Sequence, residues 1–134
     1  MIKLIIGKKG SGKTKLLIDK VNEASKSSKG HVVCIEQGMK LTFELDHSVR
    51  LIDAEEYAIK GYDTFYGFVA GVLAGNYDIK EIYVDGILKI GNKDLDGFGA
   101  LLEKLYKQIS PDVTLFFTVS SDHADLPDSV LKFS

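Results

Sequence analysis

Short apolar runs alternate along the chain with longer segments of helical period. Several runs are apolar at consecutive positions, as in strands that helices cover on both faces. The predicted strands are Ile2 to Ile6, His31 to Glu36, Val49 to Asp53, Lys80 to Asp85 and Val113 to Val119. The predicted helices are Lys13 to Ser25, Asp63 to Gly75 and Leu95 to Ile109. This alternation predicts an α/β fold with a mostly parallel central sheet.

The clearest helical period lies in the last predicted helix. Apolar residues recur there at the three-and-four spacing of one buried stripe. They are Phe98, Leu101, Leu102, Leu105 and Ile109. Asp94 directly precedes the segment, where its side chain can accept a hydrogen bond from the first turn. The pattern therefore predicts a helix capped by Asp94.

Two shorter patterns flank the third predicted strand. The run from Leu41 to Leu45 alternates between apolar and polar residues, which fits a short strand but is too brief to decide. Asp53 and Glu56 have the spacing of a capping box. That spacing predicts a short helix through Ile59.

Composition limits the kind of protein. The 134 residues are 45% hydrophobic and 27% charged, which indicates one globular domain spanning residues 1–134. The net charge of -2 and the single arginine, Arg50, argue against a protein that grips nucleic acid through its phosphates. Cys34 has no second cysteine to pair with. No signal peptide or membrane-spanning run is present, so we expect a cytoplasmic protein.

The strongest functional signal follows the first predicted strand. Residues 7–14 match the pattern G-x-x-x-x-G-K-[ST] at every fixed position. The segment reads Gly7-Lys8-Lys9-Gly10-Ser11-Gly12-Lys13-Thr14. Its glycines permit backbone angles closed to other residues, so successive N–H groups can point inward and form an anion-binding nest. Because a predicted helix begins where the loop ends, its N-terminus adds further donors, and we expect all eight residues to bind nucleotide.

Individual side chains of the loop have different expected roles. Lys13 supplies a positive charge for the β- and γ-phosphates, and Thr14 offers a hydroxyl to Mg²⁺. The side chains of Lys8, Lys9 and Lys15 are expected to face solvent, so Lys8 and Lys9 would bind through the backbone.

A second motif resembles the Walker B strand of P-loop nucleotidases. It is an apolar strand ending in Asp85, whose carboxylate would hold the metal. With the loop, the chain resembles P-loop NTPases of the RecA-like division, and also small bacterial P-loop proteins labelled as twitching-motility ATPases. The resemblance implies a three-layer P-loop NTPase fold. In it, Val113 to Val119 is an additional strand between the loop-bearing strand and the Walker B strand.

The resemblance also implies a residue that acts on the attacking water. Many members of the division carry a glutamate directly after the Walker B aspartate, where this chain has Gly86. The RecA-like branch has its glutamate at the end of the strand after the P-loop helix, which is the place of Glu36. A solvated strand-end acid is an equally good interpretation of Glu36. Thr118 or Ser120 resembles the residue that senses the γ-phosphate, although a simple turn is the alternative there.

The remaining candidates give no site pattern. The three histidines lie far apart without a cysteine cluster, so a zinc site has no support. They are His31, His47 and His123. Gly67, Gly71 and Gly75 line one side of a predicted helix, which predicts close approach of the protein's own sheet or of a twin helix in a second copy. The aromatic residues around that stretch are expected in the core rather than stacked on adenine. They are Tyr57, Tyr62, Phe65, Tyr66, Phe68 and Tyr77.

The sequence therefore predicts a domain that binds Mg-ATP and hydrolyses it slowly. Lys13, Glu36 and Asp85 are the expected catalytic residues, and Thr14 and Asp85 the expected metal ligands. ATP is favoured because the chain has no guanine-reading N-K-x-D segment. Fast turnover would need another positive group, from a lysine, a neighbouring subunit of a homo-oligomer or a partner protein.

Two alternatives stay open. A kinase for a nucleoside or small metabolite would normally carry an arginine-rich lid, which this sequence lacks. A switch that binds nucleotide without catalysis is favoured by Gly86, which replaces the adjacent glutamate.

Overall fold

The five predicted strands form one sheet. The computed structural model describes residues 1–27, 30–38 and 44–134. The strands are β1 Ile2–Gly7, β2 His31–Glu36, β3 Arg50–Asp53, β4 Ile79–Asp85 and β5 Thr114–Ser120. All neighbours are parallel, in the order β1-β5-β4-β2-β3. The prediction of an α/β fold with a parallel sheet is confirmed, and each strand lies within one residue of its predicted bounds.

Three long helices match the predicted ones. The helices are α1 Lys13–Ser27, α2 Tyr62–Gly75, α3 Ile87–Ile90, α4 Leu95–Gln108 and α5 Asp128–Leu131, with a 3₁₀ turn at His123–Asp125. The Asp94 carboxylate accepts a hydrogen bond from the Gly97 N–H at 2.9 Å, which confirms the predicted cap of α4. The four-residue helices α3 and α5 were not predicted, because they are too short for a helical period. No helix in the described part of the chain has the length and apolar character needed to cross a bilayer.

The sheet is covered on both faces. Along β2, Val32 and Cys34 belong to one buried cluster, whereas Val33 and Ile35 belong to the other. Successive side chains of a strand point to opposite faces. Residues of α1 pack in the first cluster, and residues of α2, α3, α4 and α5 pack in the second. The helices and the sheet therefore form three layers.

The carboxyl ends of all five strands meet at one edge of this parallel sheet. β5 lies between β1 and β4, so an additional strand separates the strand before the glycine-rich loop from the strand that ends in Asp85. The register pairs Gly7 with Ser120 and Glu36 with both Asp53 and Asp85. The carboxyl edge therefore collects the polar residues that the sequence singled out.

The predicted helix after β3 is wrong. Residues 54–58 form turns, and the Asp53 carboxylate accepts hydrogen bonds from the N–H groups of Gly38 at 2.8 Å and Glu55 at 2.9 Å. Ala58 then adopts a left-handed φ of 54°, which cannot continue an α-helix. In the run from Leu41 to Leu45, residues 41–43 lie outside the described residues, and Leu45 lies in a bend.

The first alternative for the glycine side of α2, close approach of the protein's own sheet, is wrong, whereas the twin helix of a second copy stays a prediction. A Cβ added at Gly67, Gly71 or Gly75 would have no atom within 4 Å among the described residues. The helix instead buries Phe65 and Val69, which lie on its opposite side. The glycines therefore form an exposed face.

The aromatic residues around α2 divide between core and surface. Phe65 is fully buried, and its ring packs 6.1 Å from that of Phe117. Tyr57 and Tyr77 are 50% and 89% exposed, so their predicted place in the core is wrong. Tyr57 packs against Phe68 of α2, with 6.1 Å between the ring centroids, and still remains half exposed.

Candidate functional site

The glycine-rich loop connects the end of β1 to the start of α1. Gly10 and Gly12 have φ values of +84° and +89°, the left-handed region that favours glycine. The loop is closed by a hydrogen bond from the Ser11 N–H to the Lys8 carbonyl at 3.1 Å. A Cβ at Gly7 would overlap the Ser11 hydroxyl, so the loop folds back over its own beginning. Glycine is therefore favoured at Gly10 and Gly12 by the backbone angle, and at Gly7 by the lack of space for a Cβ.

Lys13 is the one buried lysine among the described residues. Its side chain starts at the first position of α1, is 9% exposed, and donates from Nζ to the Lys8 carbonyl at 2.9 Å. The ammonium group thus lies across the loop. A neutral carbonyl is a weaker partner for an ammonium group than an anion is. Lys13 is therefore placed to exchange this carbonyl for a negatively charged ligand.

The other lysines of the loop are exposed, as expected. Lys8 forms an ion pair with Asp122, with 3.3 Å between Nζ and Oδ2, and its side chain is 74% exposed. Hydrogen bonding from Ala124, with the Lys8 charge, lowers the pKa of the Asp122 carboxyl. Lys15 pairs with Asp19 one turn along α1 at 3.8 Å. Exposed pairs of this kind contribute little to stability.

Asp85 ends β4 two strands away from the loop, at a lateral distance of about 10 Å from β1. Its Oδ1 accepts a hydrogen bond from the Thr118 hydroxyl at 2.6 Å. The Thr118 oxygen in turn accepts from the Gly86 N–H at 3.3 Å. Ser120 is exposed and pairs in register with Gly7, where the loop begins. Asp85, Thr118 and Ser120 therefore lie on adjacent strands beside the loop.

Glu36 is buried at the carboxyl end of β2. It is 2% exposed, so the interpretation as a solvated strand-end acid is wrong. It is paired in register with Asp85 on the neighbouring strand. Burial, followed by the negative charges of Glu36 and Asp85, raises the pKa of the Cys34 thiol. The region below the carboxyl edge is thus electronegative, and Cys34 stays a protonated thiol.

The donor set of this edge fits a hard divalent cation together with phosphate. Thr14 and Asp85 offer a hydroxyl and a carboxylate, the oxygen ligands that Mg²⁺ prefers. No group of three or more histidine, cysteine or acidic side chains suited to a metal occurs among the described residues. Mg²⁺ fits such a sparse set, because it usually takes one or two carboxylates and completes its shell with water and substrate phosphates.

Other candidate residues lie away from this edge. Arg50 begins β3, so it stands at the amino edge of the sheet, opposite the loop. His31 begins β2 at the same edge, where its Nδ1 lies 2.9 Å from the Asn76 side chain. Clefts of about 420 Å³ and 620 Å³ flank α2, and neither includes a residue of the loop. The aromatic residues that could have stacked on adenine, such as Tyr66 and Phe68, line these clefts instead.

Two contacts of the site were not found from the sequence. Nothing local in the sequence indicates that Asp122 pairs with Lys8. The bond between Thr118 and Asp85 depends on the register of β4 and β5, which the apolar pattern does not specify. Both contacts join residues more than 30 positions apart.

Fold and site together define an α/β protein with a glycine-rich, lysine-containing loop at the carboxyl edge of a parallel sheet. We find no match between this chain and protein-family models, and none with curated proteins. The function is therefore argued from the geometry of the site.

Proposed function

We propose that the chain is a P-loop NTPase that binds Mg-ATP at residues 7–14 and hydrolyses it slowly. The observation that carries this proposal is the buried Lys13 ammonium, which lies across a loop that turns through left-handed Gly10 and Gly12. Burying a lysine is costly unless its charge has a use or a partner. A triphosphate would give this charge a stronger partner than the Lys8 carbonyl.

Backbone groups supply the rest of the phosphate site. The loop amides form the nest, and α1 begins directly after it with 15 residues and no acidic residue in its first turn. The positive end of the helix dipole therefore faces the phosphates without a competing carboxylate.

Thr14 and Asp85 would hold the Mg²⁺ ion. When bound, the cation neutralises charge on the phosphate oxygens. The chain's own contribution is to hold a hydroxyl at the start of α1 and a carboxylate at the end of β4, with β5 between β4 and the strand that leads into the loop.

Glu36 would orient the attacking water and accept its proton on the carboxylate. Glu36 is buried and lies beside Asp85, so its carboxylate is shielded from bulk solvent. A shielded carboxylate would hold the attacking water in one orientation. Catalysis would thus be positioning and electrostatic stabilisation.

Turnover by the chain alone should be slow. The only arginine is Arg50, at the far edge of the sheet, so no arginine can stabilise the transferred phosphoryl group from within the chain. A second copy or a protein partner would supply the positive group, which is worth about 10³ to 10⁵ in rate in related chemistry.

A non-catalytic nucleotide switch is the second candidate. Gly86 follows Asp85 with a left-handed φ of +87°, so the position next to the metal-binding carboxylate has a backbone shape that a glutamate rarely adopts. This observation favours a site that binds nucleotide without activating water at that position.

Phosphate release from Mg-ATP by the pure protein tests the proposal. We expect slow release by the wild type, loss of release in Glu36→Gln with ATP affinity kept, and weak binding in Lys13→Ala. Glu55→Gln is the matched control, because Glu55 is an exposed acid in the turn after β3 and should behave as the wild type.

The outcomes separate the candidates. Binding without release supports the switch, and release that requires an added nucleoside or metabolite supports the kinase. Equal phosphate release by wild type and Glu36→Gln would refute the role of Glu36.

A further inference from the structure

A short buried hydrogen bond joins β5 to the end of β4. The Thr118 hydroxyl donates to Asp85 Oδ1 at 2.6 Å, and Thr118 is 2% exposed. This length is typical of a hydroxyl bonded to a charged carboxylate, which is about twice as strong as a neutral hydrogen bond. The bond therefore fixes the orientation of the Asp85 carboxylate.

The proton count of Thr118 excludes a direct role on phosphate. A threonine hydroxyl has one proton, and here that proton is donated to Asp85 in the hydrogen bond. The Gly86 N–H occupies a lone pair of the same oxygen at 3.3 Å. Thr118 has no proton left to donate to a phosphate oxygen. Ser120, whose hydroxyl has no hydrogen-bond partner among the described residues, is the better candidate for that contact.

The geometry leaves Asp85 Oδ2 available to a ligand. Oδ1 is engaged by Thr118, and β-branched side chains such as threonine are stiff in a strand, so the hydroxyl stays in one position. Asp85 itself is only half-buried, and its second oxygen, Oδ2, has no partner among the described residues. The bond to Oδ1 thus also fixes the direction in which Oδ2 points.

We propose that Thr118 is a positioning residue that orients the Asp85 carboxylate toward the divalent cation of the bound nucleotide. The inference rests on the proposed function. It assigns Thr118 to the metal side of the site and Ser120 to the phosphate side. Hydrogen-bond partners of metal ligands typically change metal affinity 10- to 100-fold when they are removed.

The test is the Mg²⁺ dependence of nucleotide binding. A fluorescent ATP analogue reports affinity in EDTA and across a Mg²⁺ titration. Thr118→Val keeps the shape and removes the hydroxyl, and we expect it to raise the half-saturating Mg²⁺ concentration about tenfold while affinity in EDTA is unchanged. Thr118→Ser restores the hydroxyl and should return the Mg²⁺ dependence to within about threefold of the wild type.

Two controls connect the effect to Asp85. Thr114→Val changes the same residue type at the amino end of β5 and should leave the Mg²⁺ dependence unchanged. In an Asp85→Asn background, Thr118→Val should have no further effect, because the residue through which it acts is already altered. If the valine variant unfolds, Thr118→Cys keeps similar bulk with a weaker donor and should shift the Mg²⁺ dependence in the same direction.

Each outcome decides the inference. An unchanged Mg²⁺ dependence in Thr118→Val, or an equal loss of affinity with and without Mg²⁺, overturns it while leaving the proposed function intact. A wild type that binds nucleotide equally well in EDTA and in Mg²⁺ also overturns it. A wild type that binds no nucleotide under either condition refutes the proposed function, and the inference with it.

Discussion

Gly7 is the position of the loop where the structure allows a quantitative test. Its φ is ordinary, so alanine would cost nothing in backbone angle. The added Cβ would overlap the Ser11 hydroxyl and lie 3.1 Å from Ser11 Cβ. Rotation of the Ser11 hydroxyl relieves the first overlap, but the contact with Ser11 Cβ still requires the loop to give by a few tenths of an ångström. Gly7→Ala should therefore displace the amides that form the phosphate nest.

The loss of affinity follows from the hydrogen bonds involved. Losing one amide bond to a charged phosphate costs about 1.5–3 kcal/mol. We therefore expect Gly7→Ala to weaken ATP binding about 10- to 100-fold by calorimetry, since 1.4 kcal/mol is tenfold. In a Ser11→Gly background both overlapping atoms are gone and the nearest atom is Lys13 Cγ at 3.5 Å, so the alanine should then cost less than about threefold.

Gly71→Ala is the matched control. It lies within α2 with no atom within 4 Å of an added Cβ, so alanine should leave ATP affinity unchanged and stabilise the helix by about 0.5–1 kcal/mol. Wild-type affinity in Gly7→Ala would contradict the packing argument. So would a loss of the same size in the Ser11→Gly background.

Three further predictions test the fold and its charges. Lys80 and Ser110 lower the pKa of Asp112 to about 2 from its ordinary 3.8, so Lys80→Met should raise that pKa in an NMR titration and reduce stability above about pH 4. The difference in stability between Lys80→Met and the wild type should vanish as the pH falls through 2, because a carboxyl with a depressed pKa stabilises only while it is ionised. An unchanged Asp112 pKa in Lys80→Met would contradict the ion pair. Asp94→Ala removes the cap on the Gly97 N–H and should lower stability by about 1 kcal/mol, or about 3 °C in Tm, with no change if the cap is not formed. Leu102→Ala in the core should cost about 2–5 kcal/mol in urea unfolding, and a cost below 1 would contradict its burial.

The strands and long helices were predictable because their apolar patterns reflect burial directly. Consecutive apolar residues marked the strands covered on both faces, and the stripe of α4 matched its buried side. The turn after β3 could not be predicted from the sequence. Asp53 has the spacing of a capping box, but its carboxylate also accepts a hydrogen bond from distant Gly38, and the left-handed Ala58 ends the turn before a helix forms.

The candidate site was predictable only where chemistry is local in sequence. The loop from Gly7 to Thr14 is contiguous, so its residue types alone indicate an anion site. The bond between Thr118 and Asp85 depends on strand order and register, which hydrophobic pattern does not encode. The glycine side of α2 does not face the sheet, because small residues indicate that close packing is possible and do not indicate which surface provides it.

The central claim is that residues 7–14 encircle a triphosphate. Calorimetric titration of the wild-type protein with ATP in Mg²⁺, beside Lys13→Ala under the same conditions, tests it most directly. We expect saturable binding of one ATP per chain, and ADP should compete with it. Lys13→Ala should weaken this binding at least tenfold. Absence of heat with ATP, ADP and GTP, or equal affinity in the two proteins, would contradict it.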